Sequence, residues 1–141
     1  MILEGIVTTL SETGQVNIAP MGPHVSDEPG ADPLRHFVLK PFQSAQTYRN
    51  LKAHGEGVLH VTDDVLLLVQ AAVGHPEPMP PLFPAAHVRG QVLKDACRYA
   101  EFARLAVPVE KTGGPRERQA FAFLCAHLER VKQLRAGASA G

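Results

Sequence analysis

Asn17-Ile18-Ala19-Pro20-Met21-Gly22-Pro23, then His36-Phe37-Val38-Leu39-Lys40, then Pro41-Phe42-Gln43-Ser44-Ala45-Gln46-Thr47 is the stretch that decides the fold. The first two segments read as strands, one stopped by proline and glycine and the other ending in a cation. The third is a polar turn opening a helix predicted over Ser44–His54, with Ser44 as N-cap, Tyr48 and Leu51 on one face and Gly55 as the stop. A lysine at a strand end followed by two hydroxyls at a helix N-terminus forms a seat for a phosphate. The lysine brings a point charge, and the first N–H groups of the helix bring a partial positive charge of about half a unit.

Working outward, Ile2–Leu10 is rich in β-branched residues, and Ser11-Glu12-Thr13-Gly14 turns it back into Gln15–Ala19, so the chain begins with a hairpin. Pro23–Pro33 is dense in Pro, Gly and Asp and reads as a loop. Gly57–Thr62 alternates as a strand, after which Asp63 and Asp64 can cap a short helix over Val65–Val73 that Gly74 ends. That helix is apolar all round and must be covered on more than one side. His75–Pro84 contains Pro76, Pro78, Pro80, Pro81 and Pro84 and is expected to cross the molecule extended. Val88–Leu93 reads as a strand. Pro115–Arg135 shows Phe121, Leu124, Leu128 and Val131 at helical spacing, and Ala136–Gly141 is a small-residue tail.

The pattern predicts a mainly β domain with appended helices (α+β), a small antiparallel barrel followed by a C-terminal helix. Its expected division is 1–103 for the barrel and 104–141 for a C-terminal helical segment. The strand count is short, since a small barrel closes with six to eight strands. About five precede Glu101, and Leu105–Val109 is the one candidate after it.

Composition narrows the function. The chain has 141 residues, enough for one core, with 45% hydrophobic and 20% charged residues, as in globular proteins. A formal net charge of zero gives no electrostatic footprint for nucleic acid or an anionic membrane. The longest apolar run, within residues 65–73, is far below the roughly 20 residues a spanning helix needs. Cys97 and Cys125 are too few and too far apart for a disulfide framework, so both are expected as buried thiols in a reducing cytoplasm. The seven histidines form neither a His-x3-His pair nor a set with a Cys-x2-Cys clamp, so no metal site is expected. Gly113-Gly114 lacks the context of a dinucleotide fingerprint, and no Ser-His-Asp set can be assembled from spacing.

Asn17–Gly22, Leu39-Lys40-Pro41-Phe42 with Thr47-Tyr48-Arg49-Asn50-Leu51, and Val61-Thr62-Asp63-Asp64 before an apolar helix together resemble a domain-of-unknown-function family of flavin-reductase-like, FMN-binding split-barrel proteins. The likeness continues through Val88-Arg89-Gly90, Lys94–Cys97 and Val109–Gly114. It implies a homodimer that binds FMN at or near the subunit interface, with Lys40, Gln43, Ser44, Gln46 and Thr47 at the phosphate. Asn17, Ala19, Met21 and Gly22 would wall the isoalloxazine ring. Two departures stand out. His60 replaces the family's usual Asn before Thr-Asp-Asp, and a block of strands and helix that the family carries between the equivalents of Phe102 and Arg104 is absent. A break or topological shortcut is therefore expected around Phe102–Arg104.

Two functions remain open. One is a cytoplasmic, dimeric redox flavoprotein of the flavin-reductase type acting on a small-molecule substrate. In such a protein the cofactor carries the chemistry and no side chain need be acid or base, so no catalytic residue is named. The other is a non-catalytic flavin-binding or protein-interaction module.

Overall fold

The computed structural model describes residues 3–74, 76–104 and 123–127. Within them the order is β1 (Gly5–Leu10), β2 (Val16–Met21), β3 (His24–Val25), β4 (His36–Leu39), α1 (Gln46–Ala53), β5 (Glu56–Val61), α2 (Val65–Ala72), β6 (Leu82–Pro84), β7 (Gln91–Leu93), β8 (Arg98–Arg104) and β9 (Phe123–His127).

Seven of these strands form one antiparallel sheet in the order β2-β1-β5-β8-β9-β4-β3. Its two edge strands, β2 and β3, are consecutive in sequence with Gly22 and Pro23 alone between them. The sheet must therefore curl until its edges meet, which makes a barrel with a seam between β2 and β3. Leu3 N–H donates to the Pro23 carbonyl across this junction (3.0 Å).

Side-chain alternation sorts each strand between two faces. The barrel interior holds Val7, Leu39, Leu59, Ala100 and Cys125 around Phe37 and Phe102, whose rings meet edge to face at 5.4 Å. The α1 helix packs on this face through Leu51. The neighbouring residues Ile6 and Ile18 point outward into a second cluster with Leu93 of β7 and Ala71 of α2. The β6–β7 pair and α2 thus cover the barrel's outer face.

Several sequence expectations need correction. Phe123–His127 is a strand, not part of a helix, and it hydrogen-bonds between β8 and β4. Two partner strands satisfy its backbone, which outweighs its helical spacing. The sheet therefore reaches past residue 103. The rest of the helix predicted over 115–135, the strand predicted over 105–109 and the tail 136–141 lie outside the described residues. No break occurs at Phe102–Arg104, because β8 runs continuously through them, pairing with β5 on one side and β9 on the other, while the segment 105–122, where a shortcut would run, lies outside the described residues. Two short pairings also arise inside segments expected to be irregular, β3 within the 23–33 loop and β6 at the end of the proline-rich stretch. Each needs only two or three residues of backbone facing a partner strand. The strand expected over Val88–Leu93 is confined to Gln91–Leu93. Cys97 is exposed, whereas Cys125 is buried and its thiol is pushed up to about 12 by desolvation. Among the described residues no helix is long and apolar enough to cross a membrane.

Candidate functional site

The α1 helix is joined to the barrel by a polar seam. Thr9 and Asn17 face each other in the β1–β2 register, so both side chains rise on the same face at neighbouring positions. Thr47 and Asn50, three residues apart on α1, lie one above the other along the helix. The two pairs interlock. Asn17 Nδ2 donates to Thr47 Oγ1 (3.0 Å), and Asn50 Nδ2 donates to Thr9 Oγ1 (2.9 Å). Thr9, Thr47 and Asn50 are all buried. Hydrogen bonds between buried neutral groups contribute about 1 kcal/mol each, and leaving one partner unpaired costs about 1–3 kcal/mol. The seam therefore fixes where the start of α1 stands relative to the edge strand β2.

The start of α1 is left open. Ser44 is not its N-cap. Phe42–Ala45 close a turn (Ala45 N–H to Phe42 O, 2.9 Å) that shifts the helix one residue on, and the N-cap is Ala45, which has no side-chain oxygen to offer. Ala45 makes no side-chain cap bond to α1, and no acidic residue stands in the helix's first turn. The first-turn N–H groups keep their partial positive charge for another acceptor. Beside them Arg49 folds back over the turn, donating from Nη1 to the Ser44 carbonyl (3.3 Å) and from Nη2 and Nε to Gln46 Oε1 (2.9 and 3.2 Å). Gln46 Nε2 in turn donates to Asn50 Oδ1 (2.8 Å).

Around this opening stand the residues expected from sequence. Lys40, Gln43 and Ser44 are exposed on the turn from β4 into α1. Gln46 and Thr47 occupy the first two helical positions. Thr47 is 1% exposed, and its hydroxyl, having accepted from Asn17, retains its own proton to donate. On β2, Asn17, Ala19 and Met21 alternate onto the α1 side, Met21 packing against the interior cluster, and Gly22 lies exposed at the seam. The structure thus joins Asn17 directly to Thr47 and gathers the remaining phosphate candidates on one turn.

His60 belongs elsewhere. It points to the outer face, fully buried, where Leu93 N–H donates to its Nε2 (2.9 Å) and its Nδ1 faces the Ile6 carbonyl (3.0 Å). Because Nε2 accepts, Nδ1 must carry the proton and donate, which fixes the neutral tautomer. Burial lowers its pKa to about 4, against the opposing pull of the Ile6 carbonyl. The same face ties the loop after β6 by side chains of the sheet. Thr8 donates to the Gln91 carbonyl, Glu101 accepts from His87 N–H (3.0 Å) and Glu56 accepts from Arg89 N–H (3.2 Å). A cavity of about 200 Å3 lies between α2 and the prolines, lined in part by Asp64, Leu66, Gln70, Pro78 and Asp95. It contains none of the residues expected at the phosphate or ring, which separates it from the α1 opening.

Arg49, Asn50 and Thr9 are the residues that sequence reasoning missed. Arg49 had a signal, a cation three positions into the helix that can fold back over the N-terminal turn. Asn50 and Thr9 are 41 positions apart, and only the β1–α1 packing brings them together.

The sequence matches, over residues 3–129, the family described as protein of unknown function (DUF447), N-terminal domain. Comparison with curated proteins finds no match. Among solved structures the chain is similar to the FMN-bound protein MM1853 from Methanosarcina mazei, itself assigned to DUF447, with a TM-score of 0.66 and 21% identity over 90% of this chain and 58% of that one. It is similar to the flavoredoxin of Desulfovibrio vulgaris, with a TM-score of 0.67 and 12% identity over 90% of this chain and 67% of that one. It also resembles nitrilotriacetate monooxygenase component B from Bacillus cereus, with a TM-score of 0.68 and 18% identity over 91% of this chain and 68% of that one. These likenesses agree with the split-barrel topology traced above, and this chain spans little more than half the length of the Methanosarcina protein. With the match to the N-terminal domain running across almost the whole sequence, the chain belongs to the DUF447 family.

Proposed function

We propose that this chain is an FMN-binding split-barrel flavoprotein with redox activity of the flavin-reductase type, working as a homodimer in the cytoplasm. The observation that carries the reading is the α1 N-terminus, whose N-cap Ala45 offers no capping side chain, which carries no acidic residue in its first turn and is flanked by a folded-back Arg49. An uncapped helix start, cations and hydroxyls suit a phosphate dianion. The residues present fit the group. Lys40, Gln43 and Ser44 would hold the phosphate with the first-turn N–H groups of Gln46 and Thr47, and Asn17, Ala19, Met21 and Gly22 would line the ring. Bound FMN would supply hydride and single-electron transfer. The protein's part is to place the flavin, fix its charge and shape its surroundings. Support for FMN also comes from the FMN-bound DUF447 relative.

The homodimer rests on α2. Val65, Leu66, Val69 and Val73 are each more than half exposed and fall along one side of the helix. α2 carries no acidic residue in its first turn and no basic residue in its last. Such a stripe can meet its own copy across a two-fold axis without opposing like charges. Free thiols at Cys97 and Cys125 are in keeping with a reducing compartment.

A visible spectrum of the purified protein tests the cofactor directly, since flavin bands are expected after gel filtration. Stopped-flow reduction by NADH or NADPH tests the activity. Bound FMN should be reduced faster than free FMN, and equal rates would leave a flavin-binding module without turnover. Sedimentation at micromolar concentration should show a dimer, and a compact monomer would contradict it.

A further inference from the structure

Arg49, Gln46, Asn50 and Thr9 form one directional chain of hydrogen bonds. Arg49 donates to Gln46 Oε1, Gln46 Nε2 donates to Asn50 Oδ1, and Asn50 Nδ2 donates to Thr9 Oγ1. The order is self-consistent. Reversing the Gln46 amide would set its NH2 against the guanidinium and its oxygen against Asn50 Oδ1, so the arrangement selects one orientation of both amides. One end of the chain is a fully buried hydroxyl on β1 and the other an exposed cation over the open start of α1. Gln46 is also the first residue of α1. Asn50 is the joint, since its carbonyl oxygen serves the exposed half and its amide nitrogen the buried half.

Resting on the FMN reading above, we infer that Asn50 and Thr9 are positioning residues that set the site's preference for a flavin carrying a terminal phosphate over one without. Neither side chain reaches the surface, so neither is placed to touch the cofactor. They act through Gln46 on Arg49. If the Thr9–Asn50 bond is lost, the Asn50 amide must turn to find another partner and Gln46 loses its fixed acceptor. The guanidinium then keeps its bond to the Ser44 carbonyl, but its second anchor, Gln46 Oε1, is no longer held in one orientation. A long cationic side chain held in place loses less rotamer freedom when an anion arrives than one that is loose. The consequence falls on the phosphate alone. The ring-side residues on β2 have their own tie to α1 through Asn17 and Thr47, which this chain does not include.

The test is titration of the apoprotein with FMN and with riboflavin, which lacks the phosphate, following flavin fluorescence. The parent should prefer FMN strongly. Thr9→Val keeps the side-chain shape and removes the acceptor, and Asn50→Ala removes the joint. Each should lower FMN affinity by about tenfold while changing riboflavin affinity by less than about twofold, the range in which small misplacements of binding groups are felt. Thr9→Ser, which restores the hydroxyl, should recover the preference. Thr9→Val serves where Asn50→Ala folds poorly, as circular dichroism would reveal. An FMN-to-riboflavin ratio that stays at the parent value in Thr9→Val overturns the inference, whether both affinities hold or both fall together. A parent that binds neither flavin overturns the FMN reading itself and the inference with it.

Discussion

Two helices of eight residues flank the edge strand β2, α1 on the barrel's inner face and α2 on its outer face, and their beginnings are built in opposite ways. The start of α2 is closed by its own protein, with Asp64 Oδ1 accepting from Leu67 N–H (3.0 Å). The N-cap of α1 is an alanine, which makes no side-chain cap bond. Their outward faces differ in the reverse sense, since α1 shows Arg49 and Lys52 to solvent while α2 shows Val65, Leu66 and Val69. A capped start with an apolar surface describes a helix that packs against something. A start without a cap from its own N-cap residue, with Arg49 folded over it, suits the anion seat proposed above.

The two faces also differ in the groups that tie them together. The α1 seam is made of amides and hydroxyls, whereas the outer cover hangs on His60, Glu101 and Glu56. The largest expected effect follows from this. The unfolded chain takes up a proton at His60 below pH 6.5, while the folded protein resists it until about pH 4. Stability contributed by neutral His60 is therefore complete above pH 6.5 and is lost as pH falls through that window, by about 3 kcal/mol at pH 4. Urea melts of the parent and of His60→Asn across this range should show the steeper fall in the parent. Equal slopes would mean His60 does not govern the outer face.

Exchanging the caps sharpens the contrast. Ala45→Asp gives α1 the cap that α2 has. It should stabilise the helix by about 1 kcal/mol yet weaken FMN binding on the order of hundredfold, because a carboxylate fills the opening and repels the phosphate. Thermal melts and FMN titration should thus move in opposite directions. Asp64→Ala, the reciprocal change, should cost about 1 kcal/mol and leave FMN affinity unaltered. If both substitutions altered FMN binding alike, the division between the two helices would fail.

Most of this frame was legible in the sequence. The alternation in Ile6–Thr9 and Val16–Ile18, the Asp64 cap and Gly55, which adopts a φ of +73° after α1, follow from local rules. Besides the short β3 and β6, two longer strands were not legible. β8 reads Arg-Tyr-Ala-Glu-Phe-Ala-Arg, and its inward Ala100 and Phe102 make a weak pattern beside a glutamate. Glu101 is acceptable in a strand here because His87, 14 residues away, supplies its N–H. β9 carries helix-forming Leu and Ala at helical spacing, and its strand state is imposed by β4 and β8, neither of them a sequence neighbour. At the site, Lys40, Ser44 and Thr47 could be picked out because strand end, turn and helix start are contiguous. Arg49 carried a local signal that went unused, whereas the buried Asn50–Thr9 bond depends on tertiary packing that spacing does not encode. The Ser44 cap expected from sequence misses by one residue, and that one residue leaves the helix start open.

The central claim is that the turn from Lys40 into α1 seats the FMN phosphate. Titrating the apoprotein with FMN against Lys40→Ala tests it most directly, since Lys40 is exposed and its loss should hardly alter folding. The expected result is saturable binding by the parent, weakened by roughly tenfold or more in Lys40→Ala through loss of a charge-assisted contact, with thermal melts unchanged. Equal FMN affinity in the parent and the variant would place the phosphate elsewhere and leave the turn as nothing more than the start of a helix.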